Sequence, residues 1–450
     1  MVVRILALAS IWVMSWATCL KGQSYPPVLS LKDQAEVVDL WMGERLRMIM
    51  PGLMKREKID LWVIISREYN EDPVIKTMLP ATWLAARRRT ILVLHHDELK
   101  DTIEAYAIAR YDVGQYFKKS WDPDEEPDQW QALADLITSL KPKSIGINTS
   151  ENFGLADGLA HTDYVHFMNV LPDQYRDKVT SAEKLAVGWL ETRTKSEEIA
   201  YRQLVRFAHQ IIAEGYASVH PGITTTDGLV WWFRQRIQSL GFDTWFHPTV
   251  SIQRMAEDSD GQSRSFASRP ETTVIMPGDL VHCDIGIVYL RLNTDTQQHA
   301  YVLRPGEEEA PEDLNDALAI GHRAQDLLTR EFKTGKSGND ILRNALEACH
   351  QAGIDATIYT HPLGFHGHAA GPIIGLWDQQ GGVPGKGDYL LYPNTAHSIE
   401  LNVEVDIPRW GKVRIMLEED AFFDGEQVYY LNGRQKVFHL ITPVDHINKQ

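Results

Sequence analysis

Acidic residues recur inside apolar, strand-like text in the second half of this chain. Asp284 lies within Gly278-Asp-Leu-Val-His-Cys-Asp-Ile-Gly286, and Asp295 follows eleven residues later in Asn293-Thr-Asp-Thr-Gln297. His361-Pro-Leu-Gly-Phe-His-Gly-His368 carries three histidines. Ser398-Ile-Glu-Leu401 and Arg414-Ile-Met-Leu-Glu-Glu-Asp420 add Glu400, Glu418 and Asp420. A carboxylate in an apolar strand is costly unless it is paired. Few Lys or Arg stand near these acids in the sequence. A wet strand end would account for any one of them; metal cations account more simply for the set.

The elements that must position these residues can be read from periodicity. From about 245 onwards the text is mainly strands and loops, with one helical region from about 310 to 351. Before it runs a long amphipathic helix, with Leu204, Phe207, Ala208 and Ile211 spaced to form one apolar face. Arg193-Thr-Lys-Ser-Glu-Glu198 opens that helix and Pro221-Gly222 stops it. Thr224 with Asp227 reads as a capping box for the next helix, which carries Trp231 and Trp232. Residues 30–180 alternate between helix-like and strand-like segments. Leu61-Trp-Val-Ile-Ile65 and Ile91-Leu-Val-Leu94 are buried-strand runs, Ser144-Ile-Gly-Ile-Asn148 is a weaker third, and 130–140 reads as a helix. This is an α/β pattern, with a polar linker expected at 176–181. Arg87-Arg-Arg89 and the acidic run 307–309 read as solvated surface.

On these residues the chain resembles the pita-bread metallohydrolases: methionine aminopeptidase, aminopeptidase P, prolidase and creatinase. Asp284, Asp295, His361, Glu400 and Glu418 fit the family's ligand order of Asp, Asp, His, Glu, Glu. The eleven-residue step between the aspartates and the seven-residue step from His361 to His368 match as well. So do the helix start at Arg193 and Pro221-Gly222-Ile-Thr224. The resemblance covers about 185 to 440, and the preceding part is similar to the α/β domain of prolidase and aminopeptidase P.

The resemblance implies an α/β N-terminal domain plus an α+β pita-bread catalytic domain. The corresponding division is 1–22 as signal peptide, 23–180 as the creatinase-like domain and 181–450 as the metallopeptidase domain. It also implies two divalent ions, manganese first and zinc or cobalt next, because the ligand set is oxygen-rich with one imidazole. Asp284 would bind one ion, His361 and Glu400 the other, with Asp295 and Glu418 bridging. Glu400 would shuttle protons, and His368 would stabilise the tetrahedral intermediate. The implied activity is hydrolysis of an amide or peptide bond near a free N-terminus, of Xaa-Pro aminopeptidase or dipeptidase type. The implied partners are a peptide or small amide substrate and a second copy of the chain in a homodimer. A creatinase-like C–N hydrolase and a non-catalytic binding protein are the alternatives.

The surroundings depart from the family. Proline-directed members place a histidine about seventeen residues before the first aspartate, where this chain has Ala267. His282, two residues before Asp284, shares its strand face and is a candidate replacement; a packed supporting histidine is the other reading. Gln297-Gln-His299 stands where Thr-Arg-Thr is usual. Val288-Tyr-Leu-Arg-Leu292 replaces a glycine-bearing turn, and Pro362 follows His361 where Gly is frequent. His366, Trp245 and Trp377 are further candidates to line the substrate site.

Composition bounds the rest. A chain of 450 residues fits two or three domains. A formal charge of −16 disfavours nucleic acid. Three cysteines, Cys19, Cys283 and Cys349, exclude a disulfide scaffold. Arg4 followed by the uncharged run 5–20 reads as a secretory signal, which implies a periplasmic or secreted protein, or a membrane-anchored one if uncleaved. No stable span is expected after its removal.

Overall fold

The computed structural model describes residues 27–255 and 272–442. The signal segment 1–22 and Ala267 lie outside the described residues.

The first layer is a six-stranded sheet of β1 (Leu61–Arg67), β2 (Arg89–Asp97), β3 (Thr102–Ile108), β4 (Lys118–Lys119), β5 (Ile145–Ile147) and β6 (Val179–Ser181), in the order β4-β3-β2-β1-β5-β6. Its central strands read as unbroken apolar runs because helices cover both faces. Trp62, Ile64, Leu92 and Leu94 enter one core, while Leu61, Val63, Ile65, Ile91 and Val93 enter the other. The three strand runs and the 130–140 helix expected from sequence are all present, the helix as Gln129–Leu140. The stretch expected as a linker behaves differently. Val179–Ser181 pairs in parallel with Ile145–Ile147 and closes the sheet edge. The Glu183–Glu191 helix that follows buries Leu185, Val187, Trp189 and Leu190 in the same core as Trp62.

The second layer is a nine-stranded sheet among the described residues. Its path is β12-β14-β15-β11-β8-β7, with β13 added on β14, β16 on β15 and β17 on β11. The strands are β7 (Thr249–Gln253), β8 (Leu280–Ile285), β11 (Thr296–Val302), β12 (Asp355–Ile358), β13 (His361–Leu363), β14 (Thr395–Ile407), β15 (Gly411–Phe423), β16 (Val428–Tyr430) and β17 (His439–Ile441). A two-stranded hairpin of β9 (Val288–Tyr289) and β10 (Leu292–Asn293) sits between β8 and β11. Alternate residues on the long strands divide cleanly. Ile399, Leu401 and Val403 of β14 and Ile415 and Leu417 of β15 fill one core, and Val281, Cys283 and Ile285 of β8 fill another. The residues between them are left for the opposite face. Cys283 and Cys349 are both free and buried.

Two local expectations need correction. The helix Thr226–Ser239 is capped by Thr225, whose side chain accepts from the Gly228 amide, and not by Thr224. Thr224 instead accepts from the His220 amide. The region 310–351 is two helices, Glu312–Thr329 and Gly338–Gln351, because the chain turns at Gly335 with φ +86°.

One buried cation joins the layers. Arg45, on the Leu31–Met48 helix, donates to Glu197 Oε2 at 2.8 Å and to the Thr192 carbonyl at 2.8 Å. Its other terminal nitrogen donates to the Trp189 carbonyl. Glu197 also completes the capping box of the Lys195–Ala217 helix with Thr194. The guanidinium lies 4.2 Å from the Trp189 ring centroid, and burial pulls its pKa down to about 10, which leaves it charged. Truncation would strand the Glu197 carboxylate without its main partner. Arg45→Ala is expected to cost about 3–5 kcal/mol, read as a fall in the urea midpoint with the slope unchanged.

Candidate metal centre

The sheet register decides which side chains meet. Gln297 of β11 pairs with Asp284 of β8 on one side and with Glu418 of β15 on the other. Glu418 pairs with Glu400 of β14. Directly paired residues project from the same face, so these four side chains form one row across the sheet. Asp295 precedes Gln297 by two residues and shares that face. His361 of β13 pairs with Ser398, two residues before Glu400, and joins them. All five residues expected as ligands are therefore brought together by register alone.

Their atoms are close enough for cations. Ligand atoms of Asp284, Asp295 and Glu418 lie within 4.8 Å of one another, as do those of His361, Glu400 and Glu418. A third group links Asp295, His361 and His368. Asp295, His361 and Glu418 each belong to two of the three groups. His361 Nδ1 lies 3.1 Å from the Pro362 carbonyl, so Nε2 is the nitrogen turned to the acids. That Nε2 is 3.5 Å from both Asp295 Oδ2 and Glu418 Oε1. Asp284 Oδ1 and His361 Nε2 are buried and have no hydrogen-bond partner. Buried polar atoms are rarely left so, and an oxygen-rich donor set around them fits divalent cations.

The electrostatics agree. Burial first, and the charge of Glu418 second, hold Asp284, Asp295 and Glu400 well above the usual carboxylate range. Asp420, buried beside them, is raised for the same first reason. Burial opposes protonation of His361, but its contact with Glu418 and the charges of Glu418 and Glu400 outweigh that and raise it.

A supporting shell holds the acids. Gln297 Nε2 donates to Glu400 Oε1 at 2.8 Å and to Glu418 Oε2 at 2.7 Å. Its carbonyl lies 2.8 Å from His282 Nε2. Asp420 accepts from the Asp295 amide at 3.0 Å and from Thr296 Oγ1 at 3.1 Å. Ser398 Oγ donates to Glu418 Oε1. In the sequence Gln297 stands out only as a departure from Thr-Arg-Thr. Its two-residue spacing from Asp295 on a strand was the signal that it faces the acids.

The remaining candidates separate. His368 stands at the solvent edge, its ring 4.6 Å from that of His361 and 5.0 Å from that of Trp245. Partial desolvation, with the neighbouring His361, pushes it down to about 4, so it is neutral at neutral pH. Tyr359, which sequence reasoning did not single out, places its hydroxyl 3.5 Å from His368 Nε2. Trp245 is anchored by Nε1 on the Thr294 carbonyl at 2.9 Å. His282 is 6% exposed, bonded to Gln297, and pushed by burial to about 4. His366 is pushed to about 4 by burial and then by Arg193 and Lys76, and its carbonyl accepts from the Gly364 amide at 3.1 Å. Trp377 is 50% exposed in the turn closed by Leu376 and Gln379.

The missing glycine turn also has an account. Leu290 and Arg291 connect β9 to β10 with φ +53° and +64°. That is the left-handed region a two-residue hairpin needs, adopted here without glycine at a cost near 1 kcal/mol per residue. Arg291 offsets it by donating to the Leu79 carbonyl at 2.9 Å and the Thr77 carbonyl at 3.3 Å, which ties the hairpin to the first layer.

The sequence pattern of Metallopeptidase family M24 matches residues 200–420. No curated protein matches in sequence. Among solved structures, the X-Pro aminopeptidase of Thermotoga maritima MSB8 is similar with a TM-score of 0.60 at 15% identity, covering 86% of this chain and 99% of that one. The Xaa-Pro dipeptidase of Bacillus anthracis gives 0.55 at 16% identity, covering 91% and 100%. The prolidase of Pyrococcus furiosus gives 0.52 at 16% identity, covering 86% and 99%. At such identities these likenesses establish the fold, an α/β layer joined to a pita-bread layer. The matched segment spans every residue from Asp284 to Glu418 discussed above, and over residues 200–420 the chain is similar in sequence to Metallopeptidase family M24.

Proposed function

We propose that the protein is a dinuclear metal hydrolase that cleaves an amide or peptide bond near a free N-terminus, in the manner of an Xaa-Pro aminopeptidase or dipeptidase. The observation that carries this reading is the convergence of four carboxylates and one imidazole with Asp284 Oδ1 and His361 Nε2 left without partners. Two divalent ions, manganese first and zinc or cobalt next, would be held by Asp284, Asp295, His361, Glu400 and Glu418. Such ions supply Lewis acidity and a water that ionises near neutral pH.

The chain's own residues do the rest. Glu400 stands at the edge of the cluster, half-buried, where it can carry a proton to a leaving amine. His368 is neutral and can donate an N–H to a developing oxyanion. Gln297 fixes the rotamers of Glu400 and Glu418 with its two amide protons, and His282 fixes Gln297. Trp245 backs His368 with its indole ring. The names of the similar structures support a preference for proline in the second position. Ala267 supports a second reading, hydrolysis of substrates without that proline, because the histidine proline-directed members use is replaced.

Two outcomes test the proposal. After manganese reconstitution, elemental analysis is expected to give about two ions per chain, and a di- and tripeptide panel to show turnover. Asp284→Asn and Glu418→Gln should each lower bound metal and reduce turnover by at least about a hundredfold. A protein that binds no metal, with both variants unchanged in stability, would overturn it. Stability against pH gives an independent reading. Carboxylates whose folded pKa is raised favour the folded state most at low pH, and that contribution is lost as pH rises. Chelated protein should therefore lose urea stability as pH rises above the ordinary carboxylate range of about 4, as Asp284, Asp295 and Glu400 are forced to ionise. Manganese should abolish that loss.

A further inference from the structure

The first layer holds a second concentration of charge, far simpler in sign. A cavity of about 420 Å³ opens where the chain leaves β1, enters β2 and leaves β3. Arg67, Arg87, Arg88, Arg89 and Arg110 all line it, with one acid, Glu68. The strand register explains the gathering. Arg67 pairs with Arg89 across β1 and β2, and Ile108 at the end of β3 pairs with Ile91, so the segments carrying these residues emerge at the same sheet end.

Two of the arginines are accounted for within the fold. Arg67 and Arg89 stand directly opposite each other, a repulsive placement. Buried Asp163 relieves it, with Arg67 Nε at 3.0 Å from one oxygen and Arg89 Nε at 3.5 Å from the other. The other three are not. Among the described residues no ion pair joins Arg87, Arg88 or Arg110 to a carboxylate. Glu68 turns an oxygen to the Arg88 backbone amide at 3.3 Å instead. The guanidinium of Arg87 lies 4.2 Å from the Trp83 ring centroid and 5.6 Å from that of Tyr111, and that of Arg110 lies 5.5 Å from Trp121. Rings that restrain a guanidinium leave its N–H edges available and remove part of the entropy cost of engaging an anion.

We propose that this cavity binds a small polyanion bearing phosphate or carboxylate groups. Three unpaired guanidiniums held together in a chain of net charge −16 repel one another, and an oxyanion ligand satisfies them with charge-assisted, bidentate bonds. The volume suits a compact metabolite, and the overall negative charge of the chain repels a nucleic-acid strand. The site lies on the six-stranded sheet, apart from the acids of the second sheet, and does not depend on the hydrolase reading.

Calorimetric titration of the full chain with pyrophosphate, and separately with tricarballylate, tests it. Saturable one-site binding of at least one probe is expected, with Kd below about 100 μM, and the stronger probe identifies phosphate or carboxylate as the preferred group. The triple variant Arg87→Ala, Arg88→Ala, Arg110→Ala should bind at least tenfold more weakly, while Asp284→Asn should bind as the parent does. If the triple variant fails to fold by circular dichroism, Arg88→Gln alone should weaken binding at least threefold. Absence of saturable binding to both probes, affinity unchanged in the arginine variants, or loss of binding in Asp284→Asn would overturn the proposal.

Discussion

Four carboxylates share one face of one sheet, and their mutual repulsion is the constraint around which the second half of the molecule is arranged. Each is buried or half-buried, and burial alone already disfavours its charge. Backbone pairing nevertheless fixes them in one row, because Glu400 and Glu418 are paired on adjacent strands and Gln297 of β11 alone separates Glu418 from Asp284. A sheet cannot relax this by moving one side chain away. Shifting any strand by one residue would turn its apolar residues outward and lose a core. The hydrophobic pattern on the opposite face therefore enforces the acidic cluster on this one. Stability and the candidate centre are held by the same register.

The neutral groups nearby make sense in that light. A hydroxyl offers a single proton, whereas the Gln297 amide offers two, one to Glu400 and one to Glu418. It can thus hold two acids at once without adding charge of its own. His282 and His299 pair across β8 and β11 on the same face, both buried and both kept neutral by desolvation. A positive charge at either position would compete with cations for the acids. The cluster is flanked by neutral dipoles at Gln297 and His282, and the exposed ring of His368 stands beside His361.

How much of this could be read from the chain depended on whether a feature is local. Asp284, Asp295, His361, Glu400 and Glu418 were legible as a set, because acids recur inside apolar strand text and their order and two spacings match a family pattern, although each alone is weak. The buried strands of the first layer were legible for the same reason: Leu61 to Ile65 and Ile91 to Leu94 are apolar without a break. What escaped was non-local. Residues 179–181 look like polar linker, yet they form an edge strand, where one side of the ladder faces solvent and polar residues are tolerated. The role of Gln297 depends on which strands flank β11, and no window of sequence contains β8 and β15 together. Arg87-Arg-Arg89 reads as a solvated run, and its residues do reach solvent. Only the β1–β2–β3 register brings Arg67 and Arg110 to it.

The two layers are also joined by polar contacts that sequence could not locate. Arg45 reaches from the first helix to Glu197 at the start of the Lys195–Ala217 helix, and Arg291 reaches back from the β9–β10 hairpin to the carbonyls of Thr77 and Leu79. The Arg291 contacts anchor the hairpin that lies between Asp284 and Asp295 in the chain. A hairpin without glycine gains nothing from its own turn, since both central residues sit in the left-handed region at a cost. Its conformation is sustained by Arg291 docking on the first layer. The spacing of the two aspartates is thus held from outside the sheet that carries them. The first layer thus supports the segment between the two aspartates through Arg291, without contributing a carboxylate to the cluster.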